Sequence, residues 1–380
     1  MFSKKTLSII FAISVLSGTI IGVGLFSLPY LILQVGWFSI LLYFVILGSI
    51  VTLMHVLFGE LILKTPDNIR FPGIANYYWG KKGKNFTIAN HLSCLIGTML
   101  AYIIVGGEFL QILISSVGFE INISAAIIIY LITGGLIIYF GSSGLNLLHL
   151  SGIIAFFLVM AGLTWLGWDE ISLEKLLSKN GDSVSWFAPY GVLIFSLWGI
   201  TIIPQIEDIL GKYKRYMTKV IIASIALPIL VYLYFSIVVL GISGSDTSAS
   251  ALISLSSYLG KEAENMILIF GLVTTFTSFV AIGLTLTQVI ELDLGIKKTK
   301  AWFISLFLPL SLYLAGVRSF LELIIFLGSV FLAIDGINML LMYRKGMPEA
   351  KTWKRIATIL LILMLFGGIF YEISSLLTKE

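Results

Sequence analysis

The sequence predicts an all-α integral membrane protein, a bundle of eleven transmembrane helices whose first ten form two inverted sets of five. Three observations predict this fold. Of 380 residues, 58% are hydrophobic and only 12% are charged, whereas soluble domains are about half apolar and a quarter charged. Apolar runs long enough to cross a bilayer recur along the chain. Basic residues collect in alternate loops between these runs, which indicates the direction of each helix.

The apolar runs define the spans. A helix needs about 20 residues to cross the hydrocarbon core, and it satisfies its own backbone hydrogen bonds there. Spans 1 to 11 are predicted at 7–33, 37–63, 86–117, 123–141, 145–167, 186–209, 217–241, 265–291, 300–316, 319–343 and 354–377. Because the longest loops have about twenty residues, we expect 1–380 to be a single polytopic membrane domain.

Loop charges predict the orientation. With the N-terminus in the cytoplasm, nineteen of the 24 lysines and arginines fall in cytoplasmic segments and five in extracellular ones. Since short cytoplasmic loops are enriched in Lys and Arg, we expect a cytoplasmic N-terminus, an extracellular C-terminus and a location in the cytoplasmic membrane. The net charge of +4 then reflects orientation and contact with anionic lipid, and it does not indicate nucleic-acid binding.

Ten spans divide into two sets of five. Five is odd, so the second set crosses the membrane in the opposite sense to the first. We expect a first repeat at 7–167, an inverted second repeat at 186–343 and an extra helix at 354–377. Proteins with inverted repeats bind their ligand near the bilayer midplane, between interrupted helices at matching positions of the two repeats. If span 1 is interrupted, span 6 should be interrupted too.

Spans 1 and 6 both contain residues that interrupt helices. Span 1 includes 18-GTIIGVGLFSLPY-30, and span 6 includes 193-LIFSLWGITIIPQIEDIL-210. Glycine permits non-helical dihedrals, and proline removes a backbone donor. Both residues are also common in membrane helices for packing and kinks. Their concentration in the first span of each repeat favours interruption.

The stretch in span 1 resembles the first-helix signature of amino-acid permeases in the amino acid–polyamine–organocation superfamily. Further similar stretches follow in the family's order: 58-FGELILKTP-66, 73-GIANYYWGKKGK-84, 101-AYIIVGGEFL-110 and 190-YGVLIFSLWGITIIPQIE-207. Together they are most similar to the aromatic amino-acid permease and amino acid/auxin permease group, over about residues 7 to 345. The resemblance implies a leucine-transporter-type fold of five plus five helices that moves amino acids by alternating access.

An amino acid carries a carboxylate and an ammonium group, and broken helices can bind both through backbone amides, carbonyls and helix dipoles. We expect the amides from span 1 and the carbonyls from span 6. Aromatic side chains would surround the ligand's own side chain, although they also serve packing. The predicted substrate-binding residues are Thr19, Ile20, Gly22, Val23, Gly24, Tyr102, Phe195, Ser196, Trp198, Gly199 and Thr201.

Span 8 carries hydroxyl side chains along one helical face, which can bind an ion or bond back to their own helix. In sodium-coupled members of the fold, an oxygen-only site joins spans 1 and 8, and other members use protons. The resemblance places this Na+ site at Gly18, Ile21, Thr274, Thr277 and Ser278. Hard cations prefer oxygen, and span 5 lacks a lysine found in some proton-coupled relatives, so the sequence favours Na+ over H+. No cofactor is expected.

Two acids, Glu108 and Asp335, lie well inside spans 3 and 10. A charge there costs about 2.5–3.5 kcal/mol on insertion scales, so these residues are either coupling groups or hydrogen-bonded acids that hold helices together. The three histidines, His55, His91 and His149, show no metal-ligand spacing, and the sequence assigns them no role.

Other classes of protein fit less well. The sequence has no nucleophile–base spacing, metal-ligand cluster or phosphate loop, so we do not expect an enzyme. A channel would favour a repeated pore-lining filter, which is not seen. The alternative that remains is a non-transporting amino-acid receptor of the same fold, similar to spore-germination receptor subunits, because its interrupted helices would look the same.

Overall fold

The computed structural model describes residues 3–66, 69–140, 145–179 and 185–378, and within these ranges every regular element is helical. Spans 2, 4, 5, 7, 9 and 11 are the helices Trp37–Ile62, Ile123–Phe140, Leu145–Leu166, Met217–Ser243, Lys298–Leu314 and Thr352–Leu377. Span 3 is Phe71–Ser116. Spans 1, 6, 8 and 10 consist of consecutive pieces: Lys4–Ile20, Val23–Ser27 and Leu28–Val35; Ala188–Ser196, Ile200–Ile202 and Ile203–Leu210; Leu252–Gln288 and Val289–Asp293; Phe320–Phe326, Leu327–Leu332 and Ala333–Gly346.

Length and composition support membrane crossing. Among the described residues, seven apolar helical stretches are long enough to cross a bilayer, and the bent pair that forms span 1 makes eight. One of the seven, Ala188–Asp246, contains both span 6 and span 7. Span 9 has only 17 residues, and span 5 contributes the shorter apolar helix Phe156–Leu166. The chain is therefore a multi-pass membrane protein.

Spans 3 and 8 begin earlier than predicted. The helix of span 3 starts at Phe71 and kinks at Gly80, where φ is 69°. The helix of span 8 starts at Leu252 and kinks at Gly260, where φ is 75°. A positive φ is accessible to glycine at little cost, so each glycine joins a short preceding helix to the span. The sequence prediction treated these short helices as loops, and that part of it is wrong.

Packing places the breaks of spans 1 and 6 side by side. The first helix of span 1 contacts spans 5 and 7 and the last helix of span 6. The first helix of span 6 crosses span 10 closely, because a Cβ on Gly328 would overlap the carbonyl oxygen of Gly191. Span 11 packs on span 10 at the periphery. The breaks therefore lie inside the ten-helix bundle.

Candidate functional site

Span 1 breaks between two buried helical pieces. Its first helix ends at Ile20, and the Ile21 N–H still donates to the Ser17 carbonyl at 2.8 Å. Gly22 is extended, with φ −131° and ψ −156°, and a 3₁₀ turn follows at Val23–Ser27. The helical pieces on the two sides of the break are bent by 51°. The predicted interruption of span 1 is confirmed.

Span 6 is broken in the same way. Its first helix, Ala188–Ser196, is separated from Ile203–Leu210 by three non-helical residues, 197–199, and a 3₁₀ turn at Ile200–Ile202. Gly199 has φ −143° and ψ 13°. Its N–H donates to Nε2 of His55 at 2.9 Å. The predicted interruption of span 6 is confirmed as well.

His55, on span 2, supplies the acceptor that span 6 loses at its break. Its Nδ1 donates to the Val51 carbonyl at 2.7 Å, so Nε2 is the ring nitrogen left to accept the Gly199 N–H. The ring is therefore neutral, and its edge meets the indole of Trp198 with 6.0 Å between ring centroids. No role for His55 was predicted from the sequence. An ionisable residue in mid-span was the signal that could have identified it.

A tyrosine on span 7 joins the two breaks. The hydroxyl of Tyr232 lies 2.7 Å from the carbonyl oxygen of Ile20 and 2.7 Å from that of Ser196. Tyr232 is fully buried. About one helical turn before Ile20, the Ser17 hydroxyl donates to the Ser224 carbonyl of span 7 at 3.0 Å. Span 7 thus holds the ends of both broken helices next to each other.

Two glycines of span 1 are required by close approach. A Cβ on Gly24 would overlap the side chain of Ser196 and lie 3.2 Å from its Cα. A Cβ on Gly22 would overlap the hydroxyl of Tyr102. The glycines therefore let the backbone of span 1 contact spans 3 and 6 directly.

A cavity of about 60 Å³ lies where the two breaks meet. Ten of the eleven predicted substrate-binding residues line it, and Gly199 is the exception. The ten are Thr19, Ile20, Gly22, Val23, Gly24, Tyr102, Phe195, Ser196, Trp198 and Thr201. The remaining lining residues are His91, Cys94, Leu95, Thr98, Ile282 and Leu332.

A larger cavity of about 190 Å³ lies next to the first one. The two share His91 and Thr201. The larger cavity is lined by residues near the predicted cytoplasmic ends of the spans, including Arg70, Gln288 and Asp293. Together the cavities outline a route from the breaks toward the predicted cytoplasmic side.

The smaller cavity is lined by polar groups without protein partners. Within the described residues, the Ser196 hydroxyl and the Trp198 indole N–H are buried and make no hydrogen bond. A buried polar group left unpaired costs about 1–3 kcal/mol. Both groups line the cavity, so a polar ligand bound there could recover this cost.

Asp335 is the centre of a buried polar cluster between spans 3 and 10. Asn90 donates to its Oδ1 at 2.7 Å, and Nδ1 of His91 lies 2.8 Å from its Oδ2. Asn90 also donates to the Phe331 carbonyl at 2.9 Å. The sequence identified Asp335 but gave His91 no role. The side chain of His149 lies outside the described residues.

Glu108, the other predicted acid, lies apart from this cluster. Its Oε2 accepts a hydrogen bond from the Ser250 hydroxyl at 2.9 Å. It is not among the residues that line either of the two cavities. The contact joins span 3 to the segment before span 8.

The predicted sodium ligands occupy spans 1 and 8. The Thr277 hydroxyl donates to the Thr274 carbonyl at 3.1 Å. Ser278 is buried, and its side chain is in hydrogen-bond contact with the Tyr102 hydroxyl. Gly18 and Ile21 flank the end of the first helix of span 1. The sodium site stays a prediction.

Comparison with known proteins places this geometry in a family. A model of the tryptophan/tyrosine permease family matches residues 5–374. The tyrosine-specific transport system 2 of Haemophilus influenzae is 24% identical over 235 residues, which are 60% of this chain and 57% of that relative's length. Glutamine transporter 2 of Aliivibrio fischeri is 25% identical over 338 residues, 84% of this chain and 85% of the relative.

Two solved structures are similar to the whole bundle. MhsT, in complex with L-phenylalanine, aligns with a TM-score of 0.73 and 13% identity over 96% of this chain and 98% of its own. Mhp1 is a nucleobase-cation-symport-1 family transporter, solved in a closed conformation with bromovinylhydantoin bound. It aligns with a TM-score of 0.66 and 14% identity over 96% of this chain and 92% of its own. Identities this low show the fold alone, which is the predicted leucine-transporter-type five-plus-five inverted repeat.

Proposed function

This chain belongs to the tryptophan/tyrosine permease family, and we propose that it is a secondary transporter that moves amino acids across the cytoplasmic membrane by alternating access. One observation carries the proposal: the two helix breaks meet at one buried cavity, with ten of the eleven predicted substrate-binding residues around it. Broken helices at the contact of two repeats are the usual substrate site of inverted-repeat transporters.

The cavity suits an amino-acid zwitterion. The 3₁₀ turn that starts at Val23 presents backbone amides, which attract a carboxylate. The carbonyls of Ile20 and Ser196 belong to the ends of helices, where the helix dipole attracts an ammonium group. The free Ser196 hydroxyl and Trp198 N–H can bind the remaining polar atoms.

We propose aromatic or other bulky neutral amino acids as the preferred substrates. Tyr102, Phe195 and Trp198 line the cavity, and an aromatic ligand can pack against such rings edge-to-face or offset. The relative from Haemophilus influenzae is a tyrosine-specific transport system, whereas the one from Aliivibrio fischeri is a glutamine transporter. Competition between tyrosine, tryptophan and glutamine therefore tests this part of the proposal.

Transport would be coupled to a gradient of Na+ or H+. The sodium proposal uses the carbonyls of Gly18, Ile21 and Thr274 with the hydroxyls of Thr277 and Ser278. The proton proposal uses the buried acids Glu108 and Asp335. We also propose the repeats 7–167 and 186–343, the extra helix 354–377 and the cytoplasmic N-terminus that the loop charges predict.

The test is counterflow in proteoliposomes. Vesicles preloaded with unlabelled tyrosine should accumulate radiolabelled tyrosine transiently, and tryptophan should compete better than glutamine. Binding without any counterflow would contradict transport and would instead support the amino-acid receptor. Uptake driven separately by Na+ and H+ gradients then identifies the coupling ion.

A substitution in span 1 tests the site. Gly22→Leu should abolish counterflow, because its side chain would occupy the space of the Tyr102 hydroxyl at the cavity. Gly367→Leu on span 11 is the matched control, since a Cβ there meets no atom within 4 Å. If both variants transport at the same rate as the unmodified protein, the assigned site is wrong.

A further inference from the structure

The cluster around Asp335 has the composition of a proton-binding site. A carboxylate and an imidazole share a short contact, 2.8 Å between Asp335 Oδ2 and His91 Nδ1. Asp335 is 1% exposed and His91 is 3% exposed. A lone carboxylate at this depth is costly, and its cost falls when it is paired and hydrogen-bonded. Asn90 provides a further donor, which stabilises the carboxylate when the imidazole is neutral.

The cluster also touches the candidate substrate site. His91 is one of the two residues that line both cavities, so protons can reach it through the larger cavity. Leu332, one turn before Asp335, lines the smaller cavity. The indole of Trp198 packs against Gly336, the residue after Asp335. A change in the cluster therefore acts on span 10 where it contacts the break of span 6.

Two other acids on neighbouring elements are bound by their own partners. Glu60 is bound by Lys354 and the Tyr343 hydroxyl, and Asp293 by Lys84. Within the described residues, His91 is the only basic group in an ion pair with Asp335. Cys94 interacts electrostatically with Asp335, and the charged residues Arg70 and Asp293 line the larger cavity together with His91.

We infer that His91 and Asp335 form one proton-binding site, which takes up a proton together with the substrate and releases it into the cavity on the predicted cytoplasmic side. The inference rests on the proposed transport function. With a neutral imidazole and an ionised carboxylate the pair has a charge of −1. An incoming hydronium ion gives its proton to the second ring nitrogen, leaving water and a neutral pair, and release reverses this step.

Two kinds of transport separate this role from a purely structural contact. Counterflow exchanges substrate for substrate and needs no net proton movement, whereas accumulation against a gradient does. At one proton per substrate, a pH difference of one unit drives about tenfold accumulation, because both correspond to about 1.4 kcal/mol.

Asp335→Asn and His91→Gln keep hydrogen-bonding groups of similar size but cannot carry the proton. We expect both variants to lose the accumulation that a pH gradient drives in the unmodified protein, and to lose it to a much greater extent than counterflow. Glu372→Gln, which changes another acid buried in a span, is the matched control and should still accumulate substrate. If the unmodified protein shows no counterflow, the proposed transport function is contradicted, independently of this inference.

Two results would overturn the inference. One is undiminished accumulation by Asp335→Asn and His91→Gln under a pH gradient. The other is accumulation by the unmodified protein under a Na+ gradient alone. If both variants fail to fold, calorimetry on the unmodified protein decides: binding of tyrosine measured in two buffers of different ionisation enthalpy should reveal proton uptake, and zero uptake at every pH would also overturn it.

Discussion

The breaks in spans 1 and 6 look alike but are maintained differently. In span 1, the backbone is exposed to its neighbours because Gly22 and Gly24 lack a Cβ that would overlap Tyr102 and Ser196. In span 6, the N–H of Gly199 donates to His55, a side chain from another helix, instead of to a carbonyl of its own helix. The break in span 1 therefore depends on the absence of side chains at Gly22 and Gly24, whereas the break in span 6 depends on the presence of the His55 side chain. Substitutions can therefore tell the two apart.

The largest effect is expected from Gly24→Ala. The added methyl would lie 3.2 Å from the Cα of Ser196 and overlap its side chain, so spans 1 and 6 must separate. Overpacking of this kind costs about 1–3 kcal/mol, and we expect tyrosine uptake to fall by at least about tenfold, the equivalent of 1.4 kcal/mol. Adding Ser196→Gly should restore part of the uptake. Uptake by Gly24→Ala at the level of Gly367→Ala would remove the steric explanation.

A smaller effect is expected from His55→Ala. The Gly199 N–H would be buried without its acceptor, which costs about 1–3 kcal/mol, and the thermal unfolding temperature should fall. His55→Gln retains a carbonyl oxygen that can accept the bond, so it should recover part of the loss. Equal unfolding temperatures for the two variants would show that the hydrogen bond does not maintain the break in span 6.

Tyr232→Phe tests the contact common to both breaks. It removes one hydroxyl from two carbonyls, and a hydrogen bond contributes about 0.5–1.5 kcal/mol net. The control is Tyr190→Phe, because among the described residues the Tyr190 hydroxyl has no hydrogen-bond partner. Chemical unfolding should show a loss of stability only in Tyr232→Phe. A similar loss in both would indicate that the hydroxyl of Tyr232 does not join the breaks.

The smallest effect is expected from Gly199→Ala. Its φ of −143° lies outside the left-handed region that favours glycine, and a Cβ there would displace side-chain carbons of Leu16 and Ile20 rather than backbone atoms. We expect less than about 1.5 kcal/mol of lost stability and uptake close to that of the unmodified protein. A defect as large as that of Gly24→Ala would mean that both breaks depend on the absence of a side chain.

The same difference explains what could be predicted from the sequence. The break in span 1 was predictable because glycine and proline act on their own backbone. Residues close to such a break in the sequence also lie close to it in the structure. Ten of the eleven predicted substrate-binding residues therefore line the cavity.

The partners of the breaks could not be predicted in this way. His55 binds a residue 144 positions away, and Tyr232 binds one 212 positions away. His91 meets Asp335 across 244 positions. These contacts depend on how helices pack, and no local pattern encodes them. The short helices before Gly80 and Gly260 were missed for a different reason, because the prediction placed them in loops outside the apolar spans.

The hydroxyl of Tyr232 has one hydrogen and two acceptors, the carbonyls of Ile20 and Ser196. It cannot satisfy both at full strength, so the two helix ends compete for it. If the proposed alternating access moves spans 1 and 6 apart, the hydrogen would stay with one carbonyl and leave the other without a donor beside the cavity. Under the proposed function, the freed carbonyl would then be available to accept a hydrogen bond from the ammonium group of the substrate.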